Sequence, residues 1–271
     1  MGLRLREIRT DARLTARELG ARMGRHGSKV SRIEHGSAVP SAADIRSWCE
    51  HCDVPDLAPE LLAMLRAIES LFVEWRRMER TGLRQAQESV LPLWERTRSF
   101  RIYSSFVVPG PVQTHSYITA ILTALMKRRG LPDDVDAAAQ VRVDKQHVVH
   151  EGDHRFAIVL EESVLRSPVG GAATMAGQLG YLLTVGALRS VSLGIIPLDA
   201  DRSLTWPVES FWMFDGERVT VELVSGYLTI TQPKELSMYA DVFGELAAQA
   251  VYGAAARELI TSAIEALDCH A

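Results

Sequence analysis

Leu14-Thr-Ala-Arg-Glu-Leu-Gly-Ala-Arg-Met23, then Gly24-Arg-His-Gly27, then Ser28-Lys-Val-Ser-Arg-Ile-Glu-His-Gly36 is the stretch on which the N-terminal fold turns. Thr15-Ala-Arg-Glu18 has capping-box spacing, so the Thr hydroxyl and the Glu carboxylate each take an orphan N–H at a helix start. Leu19 and Met23 give that helix an apolar face, and Gly24 suits its C-terminal end. A second helix fits Ser28–His35, with Val30 and Ile33 inward, Lys29, Ser31 and Arg32 outward, and Gly36 as its stop. Two short helices joined by a tight turn describe a helix-turn-helix, whose first helix crosses the DNA backbone and whose second enters the major groove. Groove entry needs outward residues that are small, polar or basic, which marks Gly27, Ser28, Lys29, Ser31 and Arg32 as base-reading. Arg17, Arg22, Arg25 and His26 are the matching candidates for the phosphate backbone.

Reading outward, Leu3, Leu5, Ile8 and Leu14 predict a helix before this pair. Pro40-Ser41 opens another, with Ile45, Trp48, Cys49 and Cys52 inward, stopped by Pro55, and a fifth begins near Pro59. The prediction is a five-helix DNA-binding bundle over residues 1–66. Residues 1–35 hold nine Lys/Arg against four Asp/Glu, whereas the remainder holds 21 basic and 30 acidic residues within a net charge of −4. A basic end on an acidic body points to a polyanion at that end. One such helix reads too few base pairs alone, so a homodimer on a two-fold site of double-stranded DNA is expected.

Residues 67–271 read as an α+β domain with a mainly antiparallel sheet, entered through a helical bridge at 67–98 with breaks at Gly82 and Pro92. Helices are predicted at His115–Arg129, Asp134–His147 and Met175–Ala187. Strands are predicted at Phe156–Leu160, Val191–Ile196, Ser210–Phe214, Val219–Val224 and Tyr227–Thr231, with hairpin turns at Asp215-Gly216 and Ser225-Gly226. An Ala-rich helix over Glu235–Leu267 closes the chain, with a break near Gly253.

Leu14–Met23, Ser28-Lys-Val-Ser-Arg-Ile-Glu-His-Gly36 and Pro40-Ser41 together resemble the phage Cro/repressor type of helix-turn-helix, the XRE family, whose signature is S-x-I-S-R-I-E-x-G followed by P-S. Val30 stands for the usual Ile, Ala16 where these domains often carry a phosphate-bracing Gln, and His26 where a Ser or Thr often caps. The resemblance implies that Arg9 and Glu34 pair inside the domain. Further along, Val108-Pro-Gly-Pro-Val-Gln-Thr114, Arg142-x-x-Lys-Gln146, Leu160-Glu-Glu-Ser-Val-Leu-Arg166, Val169-Gly-Gly171, Met175-x-x-Gln-Leu179, Ile196-Pro197 and Phe211–Phe214 occur in order. This resembles the C-terminal domain of actinobacterial Cro/repressor-type regulators of the Scr family, described as antitoxin-like, whose members often sit beside a small partner protein. The family's P-G-L-L-Q-T is P-G-P-V-Q-T here, and its R-Q is Lys145-Gln146.

The C-terminal domain is thus expected to bind a small neighbour-encoded protein; the alternative is a small-ligand sensor that tunes DNA affinity. Gln113, Thr114, Arg142, Gln146 and Trp212 are the candidate ligand or partner contacts, with capping of the following helix the other reading of Gln113 and Thr114. Trp75, Trp94, Trp206, Tyr103, Tyr117 and Phe106 are pocket or ordinary core. Of Glu161 and Glu162, one is expected at a solvated strand end and the other as a helix cap.

Enzymatic, metal and membrane readings have little to stand on. There is no G-x-S-x-G elbow, no HExxH and no GxGxxG ahead of a helix, and Gly24–Lys29 lacks the spacing of a phosphate loop. Cys49-Glu-His-Cys52 is half a zinc site, but only Cys269 remains to extend it, and core packing is the expectation. His147, His150 and His154 share a helix face only if a helix survives Gly152, so a polar loop is expected instead. The apolar run Ala172–Leu198 is interrupted by Gln178 and Arg189 and closed by Pro197, short of a membrane span. With no secretory segment and three cysteines, a cytoplasmic chain without cofactor is expected.

Overall fold

A computed structural model describes residues 1–79 and 82–268, so Cys269 lies outside the described residues, as do Arg80 and Thr81 within the expected bridge. The chain divides into two compact units at Phe72/Val73.

The first unit is helical: α1 (Gly2–Asp11), α2 (Ala16–Arg22), α3 (Gly27–Glu34), α4 (Ala42–His51) and α5 (Ala58–Leu71), with a 3-10 turn at Pro55–Leu57. Local chemistry sets the boundaries. Thr15 and Glu18 form the capping box of α2, and Ser41 and Asp44 form a second one on α4. Helices α1 to α4 end alike. Arg13, Gly24, Gly36 and Asp53 have positive φ. The next N–H in each case reaches back over the last turn, from Leu14 to Arg9, Arg25 to Gly20, Ser37 to Arg32 and Val54 to Cys49. These are Schellman endings, which satisfy terminal carbonyls. Leu5, Ile8, Leu19, Val30, Ile33, Ile45, Trp48, Cys49, Cys52, Leu61 and Leu65 make one core. The Trp48 indole N–H donates to the Leu5 carbonyl at 3.0 Å, so the polar atom of the largest core residue is satisfied.

The second unit is built on a mixed seven-stranded sheet in the order β1-β7-β6-β5-β2-β3-β4. Its strands are β1 (Phe72–Glu74), β2 (Ser99–Ser104), β3 (Arg155–Glu161), β4 (Val191–Ile196), β5 (Phe211–Phe214), β6 (Arg218–Glu222) and β7 (Gly226–Ile230). β2 pairs antiparallel with β5, β5 with β6 and β6 with β7, whereas β2–β3 and β3–β4 are parallel. The antiparallel character holds for one half, and the parallel half is an addition to the sequence reading. The parallel strands are joined by helical crossovers, with α9 (His115–Arg129), α10 (Val135–Asp144) and α11 (His147–His150) leading from β2 to β3. From β3 to β4 the chain passes through α12 (Glu162–Leu165) and α13 (Ala172–Val185).

Helices cover both sheet faces. Phe100, Ile102, Phe156, Ile158 and Leu160 pack into one core with α13 and α15 (Gly253–Asp268). Tyr103, Val159, Phe211 and Met213 face the other, with Leu236, Phe243 and Leu246 of α14 (Pro233–Gln249). Strands buried on both faces read as unbroken apolar runs, as Ile158-Val159-Leu160 does.

Several expectations need correction. The bridge at 67–98 is not a plain helical run: β1 interrupts it, followed by α6 (Trp75–Met78), α7 (Leu83–Ser89) and α8 (Leu91–Arg96). The Trp75 amide donates to the Ser225 carbonyl and its indole to the Leu223 carbonyl, which ties this segment to the β6–β7 turn. Strand β2, in the middle of the sheet, is an addition to the predicted strands. The hairpin at Asp215-Gly216 forms with both residues at positive φ, in a three-residue turn, 215–217, between the paired Phe214 and Arg218. Ser225-Gly226 is different: Gly226 already belongs to β7, and the chain turns through 223–225.

Candidate nucleic-acid interface

Two glycines bring α2 and α3 together. A Cβ on Gly20 would stand 2.9 Å from Gly27 Cα and N, and one on Gly27 would stand 2.9 Å from Arg17 Cα. The helix backbones therefore touch, and any side chain at either position would force them apart. Gly27 is thus explained by packing, which corrects its assignment to base reading: it has no side chain to offer and its Cα faces α2.

Helix α3 opens at His26, whose Nδ1 accepts the Ser28 N–H at 3.2 Å and lies 2.8 Å from the Ser28 hydroxyl. The imidazole takes over the capping job of the usual Ser or Thr. From there α3 presents Ser28 and Arg32 exposed and Ser31 half-buried, while Arg17, Arg22 and Arg25 are exposed around it. Arg22 also donates to the His51 carbonyl at 3.3 Å. Lys29 is held down rather than outstretched: its Nζ donates to Asp44 Oδ1 at 2.7 Å, and Arg25 Nε stands 4.0 Å from the same oxygen. Burial would raise the Asp44 carboxyl, but hydrogen bonds from Lys29 and from the Ser41 amide and hydroxyl bring it below its ordinary value. The clamp has a sequence signal in the Ser41-to-Asp44 capping spacing, which places Asp44 at the start of α4. Beneath the surface, Arg9 Nε and Nη2 meet the Glu34 carboxylate at 2.5 and 3.0 Å, and Arg9 Nη1 donates to the Leu14 carbonyl at 2.6 Å. The hydrogen bond that Arg9 donates to Glu34, partly opposed by burial, holds the Arg9 guanidinium above its ordinary pKa.

In the second unit, the turn at 108–114 is pinned by amides. Gln113 Nε2 donates to the Val108 carbonyl at 2.6 Å, and Gln146 Nε2 donates to the Gly110 and Gln113 carbonyls at 2.8 Å each. Gln178 accepts the Thr114 N–H at 2.7 Å and donates to the Val112 carbonyl at 2.7 Å. Thr114 caps α9 through the Tyr117 N–H. Arg142 Nη1 donates to Gln113 Oε1 at 3.2 Å and its Nε to Gln87 Oε1 at 3.1 Å. Lys145, only 2% exposed, donates to the Gln87 carbonyl and side-chain oxygens and lies 5.1 Å from the Trp94 ring centre. Burial first, and the charge of Arg142 second, bring the Lys145 ammonium down to about 7.

Residues 88–262 match the family model described as a domain of unknown function (DUF5753). That match spans more than half of the chain. The protein belongs to the DUF5753 family. Residues 1–62 match the model of a helix-turn-helix domain, so this family member carries a DNA-binding head of the helix-turn-helix class. No curated protein matches the chain. Among solved structures, the archaeal chromatin protein TrmBL2, which shows a novel mode of DNA binding, is similar at 11% identity with a TM-score of 0.32, over 89% of this chain and 88% of that one.

Within the DUF5753 region the polar candidates fall into two groups. Gln113 and Gln146 spend amide hydrogen bonds on the 108–114 turn and Thr114 caps α9, the other reading offered for it, so their expected part in ligand or partner contact gives way to a structural one. Trp212 is half-buried against Trp94 and Phe214, with ring centres 5.4 and 6.1 Å away. Neither Glu161 nor Glu162 is solvated, contrary to expectation. Glu161 accepts from Tyr103 Oη at 2.7 Å and from Arg202 at 2.5 Å, while Glu162 pairs with Arg166 and accepts the Leu198 N–H. Burial pushes the Cys52 thiol up to about 11, with a smaller push from Cys49, so both cysteines sit in the core as neutral thiols. His147 and His154 hydrogen-bond the Asp144 and Thr97 carbonyls. Among the described residues no group of three or more His, Cys, Asp or Glu is placed to hold a metal, and no helix is long and apolar enough to cross a membrane.

Proposed function

We propose that the protein is a sequence-specific transcriptional regulator of the Cro/repressor (XRE) type, acting as a homodimer on a two-fold DNA site. The observation that carries this reading is the backbone-on-backbone crossing of α2 and α3 at Gly20 and Gly27, which holds up a short α3 whose outer face offers Ser28, Ser31 and Arg32. Arg32 is assigned to guanine acceptors, the two serines to base edges or phosphate, and Arg17, Arg22, Arg25 and His26 to the DNA backbone. Lys29 joins them by leaving Asp44 when a phosphate or base edge competes for its ammonium. Half-sites then lie about 34 Å apart or a multiple of it. The second unit is assigned the binding of a small neighbour-encoded protein, in the antitoxin-like manner that its ordered motifs resemble.

The test is selection of genomic fragments on the immobilised full chain, followed by affinity measurement on the recovered site and on random duplex. Arg32→Ala should cost about 1–3 kcal/mol on the recovered site and relax preference at one position, while Arg17→Ala should weaken both duplexes alike. Equal losses on both duplexes for Arg32→Ala would remove it from base reading. Recovery of no shared motif would end the sequence-specific reading.

A further inference from the structure

The parallel strands β2, β3 and β4 all end on the same side of the sheet, at Ser104, Glu161 and Ile196. The carboxyl ends of parallel strands are where open sheets place their binding crevices. Here they carry a cavity of about 610 Å³, lined among others by Phe106, Glu161, Leu198, Arg202, Pro207 and Glu209. Its outer wall is the stretch from 197 to 210, which has neither helix nor strand. That stretch is firmly tied on its inner side. Arg202 bonds Glu161 and Gln249, Thr205 Oγ1 donates to Glu245, and Gln249 Nε2 donates to the Thr205 carbonyl at 2.9 Å.

On its outer side the same stretch gives large apolar side chains to solvent. Leu198 and Trp206 are 65% exposed and Leu204 90%, and Phe106, which lines the cavity with Leu198, is 64% exposed. Scattered exposed leucines need no explanation, but Phe106 and Leu198 on the lining of one open cavity, with Leu204 and Trp206 exposed on the same stretch that walls it, form a patch of the kind that marks an interface. Lining residues this exposed make a saucer, not an enclosure able to bury most of a small molecule, which favours a protein surface over a small ligand.

Charge selects the partner. Asp199, Asp201 and Glu209 are exposed on this rim, while Arg202 is committed to Glu161 and Arg166 to Glu162. Residues 73–271 as a whole hold 19 basic and 24 acidic residues. A second copy docked here two-fold would set these carboxylates against themselves, a like-charge contact that interfaces avoid. We propose that this face docks a separate protein, through a segment that combines aliphatic or aromatic side chains with Lys or Arg. The proposal rests on the reading of the second unit as a partner-binding domain, and gives that reading an address and a chemistry.

The test uses random dodecapeptides displayed on phage, selected on the full-length protein and then measured as free peptides. The variants are Phe106→Ser/Trp206→Ser and Asp199→Lys/Asp201→Lys, all at exposed positions. Selected peptides should carry apolar side chains together with Lys or Arg. The apolar double variant should weaken them about ten-fold or more, since exposed aromatics at a patch centre carry most binding energy. The charge reversal should weaken them several-fold at low salt and less at high salt. DNA affinity and melting temperature should not move in either variant. Enrichment of no peptides, of acidic peptides, or of peptides indifferent to both variants overturns the proposal. So does micromolar self-association that Phe106→Ser/Trp206→Ser abolishes, because the face would then be a contact between copies. Co-purification of the neighbour-encoded protein with wild type and apolar variant alike would overturn this address while leaving the partner-binding reading intact.

Discussion

Both units bury charged side chains, but they treat them differently. In the first, Arg9 meets Glu34 and Lys29 meets Asp44, each cation against its own carboxylate. The second does this three times, with Arg129 on Glu79, Arg166 on Glu162 and Arg202 on Glu161. Among the described residues it then leaves Lys145 and Arg142 side by side, hydrogen-bonded to amide and carbonyl oxygens of Gln87 and Gln113 rather than to a carboxylate, with the Trp94 ring beside Lys145 and the charge of Glu222 acting on Arg142. A paired buried charge is costly to break, whereas an unpaired one is costly to keep. The same kind of substitution should therefore have opposite signs in the two units.

The largest effect is expected at Arg9. Arg9→Met leaves Glu34 buried without its partner and should destabilise the first unit by about 3–5 kcal/mol. Scanning calorimetry of the full chain should show the melting of the helical unit fall while that of the sheet unit stays in place. A joint fall of both would mean that the units do not melt independently, and the comparison would lose its basis.

Lys145→Met should act the other way. The folded-state value of about 7 lies below the ordinary 10.5 of a lysine. Between those pH values the unfolded chain holds a proton that the folded chain has lost, so this group's contribution to stability is lowest below pH 7 and rises towards pH 10.5. Removing the amine should raise the melting of the second unit at pH 7, by an amount on the order of a few kcal/mol at most, and flatten the rise between pH 7 and 10. Gln87 Oε1 keeps Arg142 as a donor in the variant, while the Gln87 backbone carbonyl gives up the bond from Lys145. A variant less stable than wild type at pH 7 would show that the two bonds to Gln87 outweigh the cost of burial.

The units also differ in how much of them sequence reading recovers, and for a related reason. In the first, what decides a helix boundary lies within a turn of it: Thr15 with Glu18, Gly24, Gly36. Two of its four Schellman endings carry no glycine signal, because Arg13 and Asp53 take the positive φ. In the second, the decisive pairings are distant. Strand β2 bonds β3 on one side and β5 on the other, residues 99–104 against 155–160 and 211–214. Nothing near Ser99 announces those neighbours, although the alternation of Phe100 and Ile102 with Arg101 was a usable strand signal. The parallel half was latent in the unbroken apolar run of β3, which is what a strand covered on both faces requires. For the site, the outer face of α3 was readable from spacing. Two details were not: Gly27 is consumed by helix packing, and Lys29 is clamped by a carboxylate from α4.

One locally encoded feature of the second unit offers a control of middling size. Asp215 and Gly216 sit at φ 50 and 74, and the Asp215 carboxylate accepts the Arg98 and Ser99 N–H groups. Nothing crowds a side chain at Gly216, so Gly216→Ala should cost only the left-handed backbone term, about 1–2 kcal/mol. The loss should appear in the second transition alone. A loss in the first transition instead would contradict the division at Phe72/Val73.

The smallest effect separates two jobs given to one residue. His26 caps α3 through Nδ1, and it is also assigned to a phosphate, for which only Nε2 is left to donate. His26→Ala removes both and should cost the first unit about 1 kcal/mol, the usual worth of a cap. His26→Ser returns a capping hydroxyl without returning a donor at the reach of the imidazole edge. Melting should then recover, while DNA affinity stays below wild type by the same factor on the selected site and on random duplex, because a phosphate contact carries no sequence information. Full recovery of affinity in the Ser variant would leave His26 as a cap alone. The backbone contacts would then belong to the arginines of α2 and the turn, and this departure from the usual Ser or Thr would be a change of capping group rather than a change in how DNA is held.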